Sequence, residues 1–260
     1  MDGKSVVGSN CFLVLKENEY DWTQQLEQEG DKNTKILEEQ LKQMEHKFKG
    51  IVSLFEASET VTRSGFKTYV TPLLQKHDFI QSIQWIPRVR HDQRSIKESS
   101  ARKEGFPSFQ FTALSKSSTM ITAPSKNEYF PIYYVEPHSG NESVLGFDIS
   151  TRPKLLSHMN QARDSGKTVA TNTKLWFKND SKMAMLIFAP FYAGKGIPKT
   201  VEDRKRLFMG TALGAYRIND MIEQIISPYL VQGMFLTVFD EDQNNKIYGN
   251  LSEDNVIKHS

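Results

Sequence analysis

Few residues of this chain have the types and spacing of catalytic or metal-binding groups. The Gly-x-Gly at 194–196 is followed by Pro198, where a phosphate-binding loop needs the start of a helix. The six histidines are scattered without the spacing of zinc ligands. The Asp-x-Asp-x-Asn run at 240–244 imitates the opening of a calcium loop but lacks the glycine and glutamate that such a loop needs further on. We therefore expect a β-turn there, and no catalytic residue, metal site or cofactor.

Charge and cysteine content narrow the class of protein further. Lysine and arginine number 33 against 31 acidic residues, so the concentrated basic face of a nucleic-acid binder is not expected. Hydrophobic residues make up 38% of the chain and aromatic residues 11%, enough for a packed core. The single cysteine, Cys11, excludes an internal disulfide framework. No run approaches the ~20 apolar residues of a membrane-spanning helix.

The elements that would position functional residues centre on the stretch 128–171. Its first part, 129–135, has the aromatic and β-branched composition of a strand, and a turn-rich loop follows. A short apolar piece then leads to a helix, with Ser150 or Thr151 as N-cap and Pro153 in its first turn. Gly166 is placed to end that helix. This order predicts an α+β unit of the kind found in sensors.

Periodicity and turn residues predict the remaining elements. Further helices are expected at 64–76, 92–103 (capped by Asp92) and 218–226 (capped by Asn219); strands at 80–85, 109–112, 169–177, 183–192 and 207–216; a hairpin at 235–239 and 246–248; and loops at 115–125 and 194–206. Sequential strands flanked by helices indicate an antiparallel, PAS-like sheet.

Residues 33–58 predict a long helix with a heptad seam. Its apolar residues alternate spacings of four and three: Leu37, Leu41, Met44, Phe48, Ile51 and Phe55. Two interpretations are open, a helix packed on its own domain and a parallel dimer stalk.

Several ordered motifs give the chain a resemblance to a known family. They are Tyr129-Phe130-Pro131, Val135-Glu136-Pro137, Gly140-Asn141-Glu142, Leu145-Gly146-Phe147-Asp148 and Ala162-Arg163-Asp164-Ser165-Gly166, preceded by matching segments at 84–89 and 105–107. In this order they resemble the CHASE domain, the extracytoplasmic sensor of bacterial kinases and cyclic-dinucleotide enzymes and of plant cytokinin receptors. The resemblance covers roughly residues 20 to 250.

The resemblance implies a domain organisation. It comprises an N-terminal segment (1–19) without assigned structure, a stalk helix (20–60), a membrane-distal PAS-like unit (61–217), and a connecting helix with the start of a smaller, incomplete membrane-proximal PAS-like unit (218–260). It also favours the dimer stalk, with a homodimer formed through the N-terminal helix. Membrane anchors are expected outside this sequence.

A PAS-like sheet holds small ligands on its concave face, and nine residues are predicted to line that space. They are Trp85, Tyr129, Tyr134, Glu136, Asp148, Thr171, Thr173, Phe188 and Tyr192. Aromatic walls with few polar groups are typical of small-molecule sites. The competing interpretation is ordinary core for the aromatic residues, a solvated carboxylate for Glu136 and a helix cap for Asp148.

The resemblance also implies polar anchors for a ligand. In the plant cytokinin receptors an aspartate after the Pro-containing strand and a threonine after the helix contact the adenine-like ligand. Thr171 stands at the position similar to that threonine, and the aspartate position falls near Glu136 and Pro137.

The sequence as a whole predicts a non-enzymatic, extracytoplasmic (periplasmic) small-molecule sensor of a transmembrane histidine kinase or cyclic-dinucleotide enzyme. The expected ligand is adenine-like or another small polar aromatic compound, and no nucleic-acid partner is expected. The alternative is a ligand-free protein-interaction and dimerisation module.

Overall fold

The computed structural model describes residues 6–7, 11–16, 23–58, 60–115, 117, 119–174, 183–229, 235–240 and 245–249. The α-helices in this part of the chain are α1 (Thr23–Ala57), α2 (Arg63–Lys76), α3 (Arg94–Lys103), α4 (Pro153–Ser165), α5 (Val201–Leu207) and α6 (Ile218–Ile225). The strands are β1 (Val6–Val7), β2 (Cys11–Lys16), β3 (Ile80–Pro87), β4 (Val89–Arg90), β5 (Thr112–Leu114), β6 (Met120–Thr122), β7 (Glu128–Tyr129), β8 (Tyr134–Glu136), β9 (Val169–Lys174), β10 (Met183–Tyr192), β11 (Phe208–Arg217), β12 (Phe235–Asp240) and β13 (Asn245–Tyr248).

A five-stranded antiparallel sheet, in the order β8-β3-β11-β10-β9, organises the larger of two compact units. Strand β3 lies between β8 and β11, and all eight of its residues are buried. Trp85 stands opposite Tyr134 on one side and Ala212 on the other. Helices beside an antiparallel sheet confirm the predicted α+β class.

Different helices cover the two faces of this sheet. On one face, which we call the α1 face, the ring of Phe55 from α1 stacks on Trp85 with centroids 3.9 Å apart, and Phe66 from α2 lies 5.6 Å from Tyr134. On the other face, the α4 face, Met159 of α4 belongs to one buried cluster with residues of the sheet. Because side chains alternate along a strand, neighbouring residues of β3 serve different faces.

The second half of α1 packs on the sheet of its own unit. Phe48, Ile51 and Phe55 of the predicted seam are buried, and a Cβ built on Gly214 of β11 would lie 2.5 Å from the ring of Phe48. Of the two interpretations of the heptad pattern, packing within the chain is thus confirmed for these residues. A homodimer through α1 stays a prediction.

Several predicted elements have different bounds, for local reasons. Helix α3 starts at Arg94 after one 3₁₀ turn, and Asp92, the predicted cap, pairs with Arg90 instead. The strand predicted at 129–135 is divided into β7 and β8 around Pro131, whose nitrogen carries no hydrogen for a ladder bond. The strand predicted at 109–112 begins only at Thr112.

Two predicted loops contain regular structure. The loop predicted at 194–206 holds α5, whose N-cap Thr200 accepts a hydrogen bond from the backbone of Asp203 at 3.1 Å. The loop predicted at 115–125 holds β6, which pairs with β5.

Helix α6 starts at Ile218 with Arg217, and not Asn219, as its N-cap. The end of the strand predicted at 169–177 lies outside the described residues.

The smaller unit contains a second sheet, in the order β1-β2-β12-β13. Strands β12 and β13 confirm the two strands of the predicted hairpin, whose turn residues lie outside the described part. Strand β2 pairs antiparallel with β12 along its whole length, with Leu13 opposite Val238. Sequence analysis predicts no structure for β2. The described residues divide into the two units between 46 and 47 and between 216 and 217.

A substitution at Gly214 tests how closely α1 approaches the sheet. Gly214→Ala should lower the free energy of unfolding by about 1–3 kcal/mol, because the new methyl group overlaps the rings of Phe48 and Tyr216. Urea denaturation measures this loss. In a Phe48→Leu background the same substitution should cost less, although the overlap with Tyr216 remains; an equal cost in both backgrounds would show that the Phe48 ring is not the cause.

Helices α1 and α2 are also joined by a lysine–histidine hydrogen bond. Lys47 Nζ lies 2.6 Å from Nε2 of His77, the residue that follows α2. An ammonium group has no acceptor, so this contact requires an unprotonated Nε2. Burial, and then the nearby ammonium groups of Lys47 and Lys76, hold the pKa of His77 below its ordinary value.

This lowered pKa predicts that acid destabilises the fold. The unfolded chain takes up a proton at His77 near the ordinary pKa of about 6.5, before the folded chain does, so stability is full above that pH and falls as the pH drops below it. Urea denaturation between pH 8 and 5 should show a smaller fall for His77→Gln than for the parent. His158, whose pKa burial also lowers, is present in both proteins and cancels in the comparison. Parallel pH curves would refute the assignment.

Candidate ligand-binding site

The α4 face of the five-stranded sheet carries a buried apolar cluster. Helix α4 contributes Leu155, Met159 and Ala162, and the segment before it contributes Phe130 and Phe147 among others. Alternate residues of the strands complete the cluster: Ile86, Val135, Ala184, Leu186, Phe188, Tyr192, Leu213 and Ala215. This face therefore combines aromatic and aliphatic walls, which are common in small-molecule sites.

Two polar side chains of β3 lie on the same face. Gln84 stands between Val135 and Leu213 on the neighbouring strands, and both belong to the cluster. Residues directly opposite in an antiparallel pair share a face, so Gln84 lies on the α4 face, and Ser82, two residues away, does too. Gln84 is 2% exposed and Ser82 is fully buried.

The hydrogen bonding of Gln84 is incomplete. Its Nε2 donates to Ser82 Oγ at 2.9 Å, while its Oε1 is buried with no hydrogen-bond partner in the structure as described. Most buried polar side-chain atoms in proteins have a partner, because an unpaired one retains its full cost of desolvation. An amide in an apolar cluster with a free acceptor is thus a place where a further molecule would gain a hydrogen bond.

Thr171, one of the predicted anchors, lies on the α4 face of β9. Its hydroxyl is 2.9 Å from Nε2 of His158 on α4. Burial holds the pKa of His158 below its ordinary value, so the ring is neutral near pH 7. Thr171 is thus already engaged by the helix that covers the sheet.

Phe188 and Tyr192 of β10 share this face. Phe188 is fully buried, and the Tyr192 hydroxyl donates to the backbone oxygen of Arg163 on α4 at 2.5 Å. Burial raises the pKa of Tyr192 to about 12, so the hydroxyl keeps its proton. Thr173 stands opposite Ala184 in the ladder, and its side chain lies outside the described part. Both aromatic residues belong to the cluster, as the core interpretation expects.

Asp148 has a structural role just before the first turn of α4. Its Oδ1 accepts from the backbone of Phe130 at 3.0 Å and of Ser150 at 3.1 Å, and its Oδ2 pairs with Lys126 Nζ at 2.5 Å. The carboxylate is fully buried. It caps the 3₁₀ turn at Ile149–Thr151 that precedes α4. The helix-cap interpretation of Asp148 describes this arrangement better than a free ligand anchor does.

Tyr129 is likewise held by protein groups. Its hydroxyl lies 3.0 Å from His91 Nδ1 and accepts from Arg94 at 3.3 Å and from the backbone of Lys126 at 3.1 Å. The guanidinium of Arg94 sits 5.0 Å from the centre of its ring. Tyr129 is fully buried and joins β7 to α3, so its polar end is saturated.

The other three predicted residues lie on the opposite, α1 face. Trp85 stacks on Phe55, and the Tyr134 hydroxyl donates to the backbone oxygen of Val61 at 3.0 Å. Glu136 is opposite Ile83, two residues from Tyr134, and is 9% exposed. The nine predicted residues therefore do not line one wall. Whether any of them contacts a ligand stays a prediction.

Sequence reasoning missed Ser82 and Gln84, although a signal was present. Strand β3 reads Ile-Gln-Ser-Ile-Gln-Trp-Ile-Pro, and such apolar content indicates burial on both faces. Polar residues two apart in such a strand must share one buried face, which is unusual without a partner. In the described residues no group of three or more His, Cys, Asp or Glu is placed to hold a metal.

Comparisons with known proteins identify a family and two similar proteins. A family model described as CHASE domain matches residues 59–248. The chain is similar to hybrid signal transduction histidine kinase A of Dictyostelium discoideum, with 26% identity over 176 residues, 63% of this chain and 8% of that protein. It is also similar to the germination-specific adenylate cyclase of Dictyostelium discoideum, with 22% identity over 165 residues, 62% of this chain and 19% of that protein.

The chain thus spans less than a fifth of each of these two relatives. Among the residues that the structure describes, no helix has the length and apolar character that crossing a membrane requires.

Removing the Asp148 carboxylate tests its structural role. Asp148→Ala should lower the free energy of unfolding by about 3 kcal/mol, because it leaves Lys126 and two backbone N–H groups without their partner. Chemical denaturation measures the loss.

Asp92→Ala is the matched control. Both side chains of the Asp92–Arg90 pair are about two-thirds exposed, so the loss should be much smaller than that of Asp148→Ala. Equal losses in the two variants would contradict the role assigned to Asp148.

Proposed function

This chain belongs to the CHASE domain family, a family of sensor domains in signalling proteins, and we propose that it senses a small molecule bound between the five-stranded sheet and α4. The observation that carries the proposal is the buried amide of Gln84, whose Oε1 lies on the apolar α4 face and has no hydrogen-bond partner among the described residues. Such a combination of apolar walls and few polar groups suits a small ligand.

A signal could leave this site through the elements that surround it. Helix α4 closes over the cluster and contacts β9 through Thr171 and β10 through Tyr192. A ligand that binds better when α4 is in one position than in another shifts the population toward that position by its difference in affinity. Bound ligand would in this way set the position of α4 relative to the sheet.

The output of the signal is proposed to lie in other parts of a longer, membrane-anchored protein. Two similar proteins are named as a histidine kinase and an adenylate cyclase, and most of each lies outside the matched region. These names support a kinase or nucleotide cyclase as the output; a cyclic-dinucleotide enzyme stays an alternative. We place the sensor outside the cytoplasm, as its family implies, with no catalytic activity of its own.

A second candidate function is a ligand-free interaction module. Trp85, Tyr134 and Phe188 are all buried, as they would be in a sheet filled entirely by its own core. The two candidates differ in whether the α4 face can accept a guest, and paired substitutions on β11 separate them.

Ala215 and Ala212 of β11 provide a test of the site. Ala215 stands opposite Ser82 on the α4 face, and Ala212 stands opposite Trp85 on the α1 face. Ala212→Leu should cost about 1–3 kcal/mol by overpacking the rings there, whereas Ala215→Leu should cost less and occupy the ligand space. A thermal-shift screen of a metabolite library should give compounds that stabilise the parent and Ala212→Leu but not Ala215→Leu.

Two results would count against the sensor proposal. Compounds that stabilise Ala215→Leu as much as the parent would bind elsewhere. A screen without any hit, together with equal stability losses for the two leucine variants, would favour the interaction module.

A further inference from the structure

We infer that Gln84 is the polar anchor of this site and that the ligand is an uncharged molecule presenting an N–H or O–H group to it. The inference rests on the proposed function and adds the chemistry of the ligand. It also assigns recognition to a residue of the central strand, instead of to the carboxylate and threonine that the family resemblance implied.

One polar atom of the Gln84 amide has no partner among the described residues. Gln84 Nε2 donates a hydrogen bond to Ser82 Oγ, and Oε1 has no partner among the described residues. Turning the amide by 180° would pair Oε1 with the Ser82 hydroxyl and leave Nε2 free, so one polar atom is unpaired in either orientation. In the orientation that the structure has, the free atom is an acceptor, and its complement is a hydrogen-bond donor.

The side chains next to Gln84 and Ser82 on the neighbouring strands carry no charge. The neighbours of Gln84 across the sheet, Val135 and Leu213, are apolar, and the neighbour of Ser82 is Ala215. Thr211, also buried on this sheet, already donates its hydroxyl to the backbone oxygen of Ala189 at 2.9 Å. A charged ligand group needs a counter-charge or several hydrogen bonds when it leaves water. These neighbours supply neither, which disfavours carboxylates, phosphates and zwitterionic amino acids.

The anchors implied by the family resemblance are engaged by other protein groups or lie on the other face of the sheet. Thr171 is engaged by His158, and Asp148 by Lys126 and two backbone N–H groups. Glu136 lies on the α1 face, across the sheet from Gln84. Recruiting Thr171 or Asp148 would break existing contacts, while binding to Gln84 breaks none. The amide of Gln84 is therefore the favoured point of attachment.

Three bicyclic probes of similar shape test this chemistry. Indole offers one N–H donor, benzofuran replaces that donor by an oxygen, and indole-3-carboxylate adds a negative charge. Affinities are measured by NMR titration of the folded chain. We expect indole to bind roughly tenfold more tightly than benzofuran, because one hydrogen bond to a buried acceptor contributes a free energy of about that size. Indole-3-carboxylate should bind most weakly.

Two methionine variants complete the experiment. Gln84→Met keeps the shape but removes the acceptor, so indole and benzofuran should bind it equally. Gln81→Met changes the same residue type on the same strand, but Gln81 is paired with Asn141 at 2.8 Å and should leave the preference for indole intact. Gln84→Met should also remain folded, because it removes an amide that the protein leaves half unpaired.

Each remaining outcome contradicts the inference. A preference for indole that survives Gln84→Met would remove Gln84 as the anchor, and tighter binding of indole-3-carboxylate would remove the requirement for an uncharged ligand. Failure of all three probes to bind would overturn the inference, and it is the result expected if a buried water satisfies Oε1. None of these results affects the metabolite screen with the Ala215→Leu variant, which tests small-molecule sensing by itself.

Discussion

Burial of the strand β3 on both of its faces is the constraint on which the rest of the larger unit depends. Every residue of this strand is buried, so each side chain must find an apolar neighbour or a hydrogen-bond partner. Trp85 meets this requirement by stacking on Phe55 of α1, and Ile86 meets it in the cluster under α4. Gln84 meets it only in part. Strand β3 lies between the helices of the α1 face and α4. It also carries Gln84 Oε1, an acceptor without a hydrogen-bond partner among the described residues.

The two layers are built by different kinds of contact, and this difference bears on function. The α1 face is closed by stacked and tilted rings and by the approach of Phe48 to Gly214, where no side chain intervenes. The α4 face is closed by aliphatic and aromatic side chains together with hydrogen bonds from Thr171 and Tyr192 to α4. Close packing of rings suits a fixed support. Thr171 and Tyr192 are committed to α4, so among the described residues of this face Gln84 Oε1 is an acceptor that can bond a ligand without breaking a contact.

Local sequence signals predicted many helices and strands correctly. They did not show which helices cover each face of the sheet. Gly166 ends α4 in the left-handed conformation, with φ of 72°, as its position predicted. Helix α5 was missed because glycine, proline and lysine surround it, although Thr200 followed three residues later by Asp203 is a recognisable start.

The assignment of site residues needed tertiary information that periodicity does not contain. Alternation along β3 shows that Gln84 and Trp85 point to opposite sides, but only the packed helices show which side belongs to α1. Asp148 and Tyr129 have residue types that suit a ligand site, and they are engaged by Lys126, His91 and backbone groups. The most direct measurement is a crystal structure of the protein purified with its natural ligand, examined for the partner of Gln84 Oε1. We expect a small molecule between β3 and α4 with an N–H or O–H group about 3 Å from that oxygen. A protein side chain or a single water as the partner, with apolar side chains filling the remaining space, would contradict it.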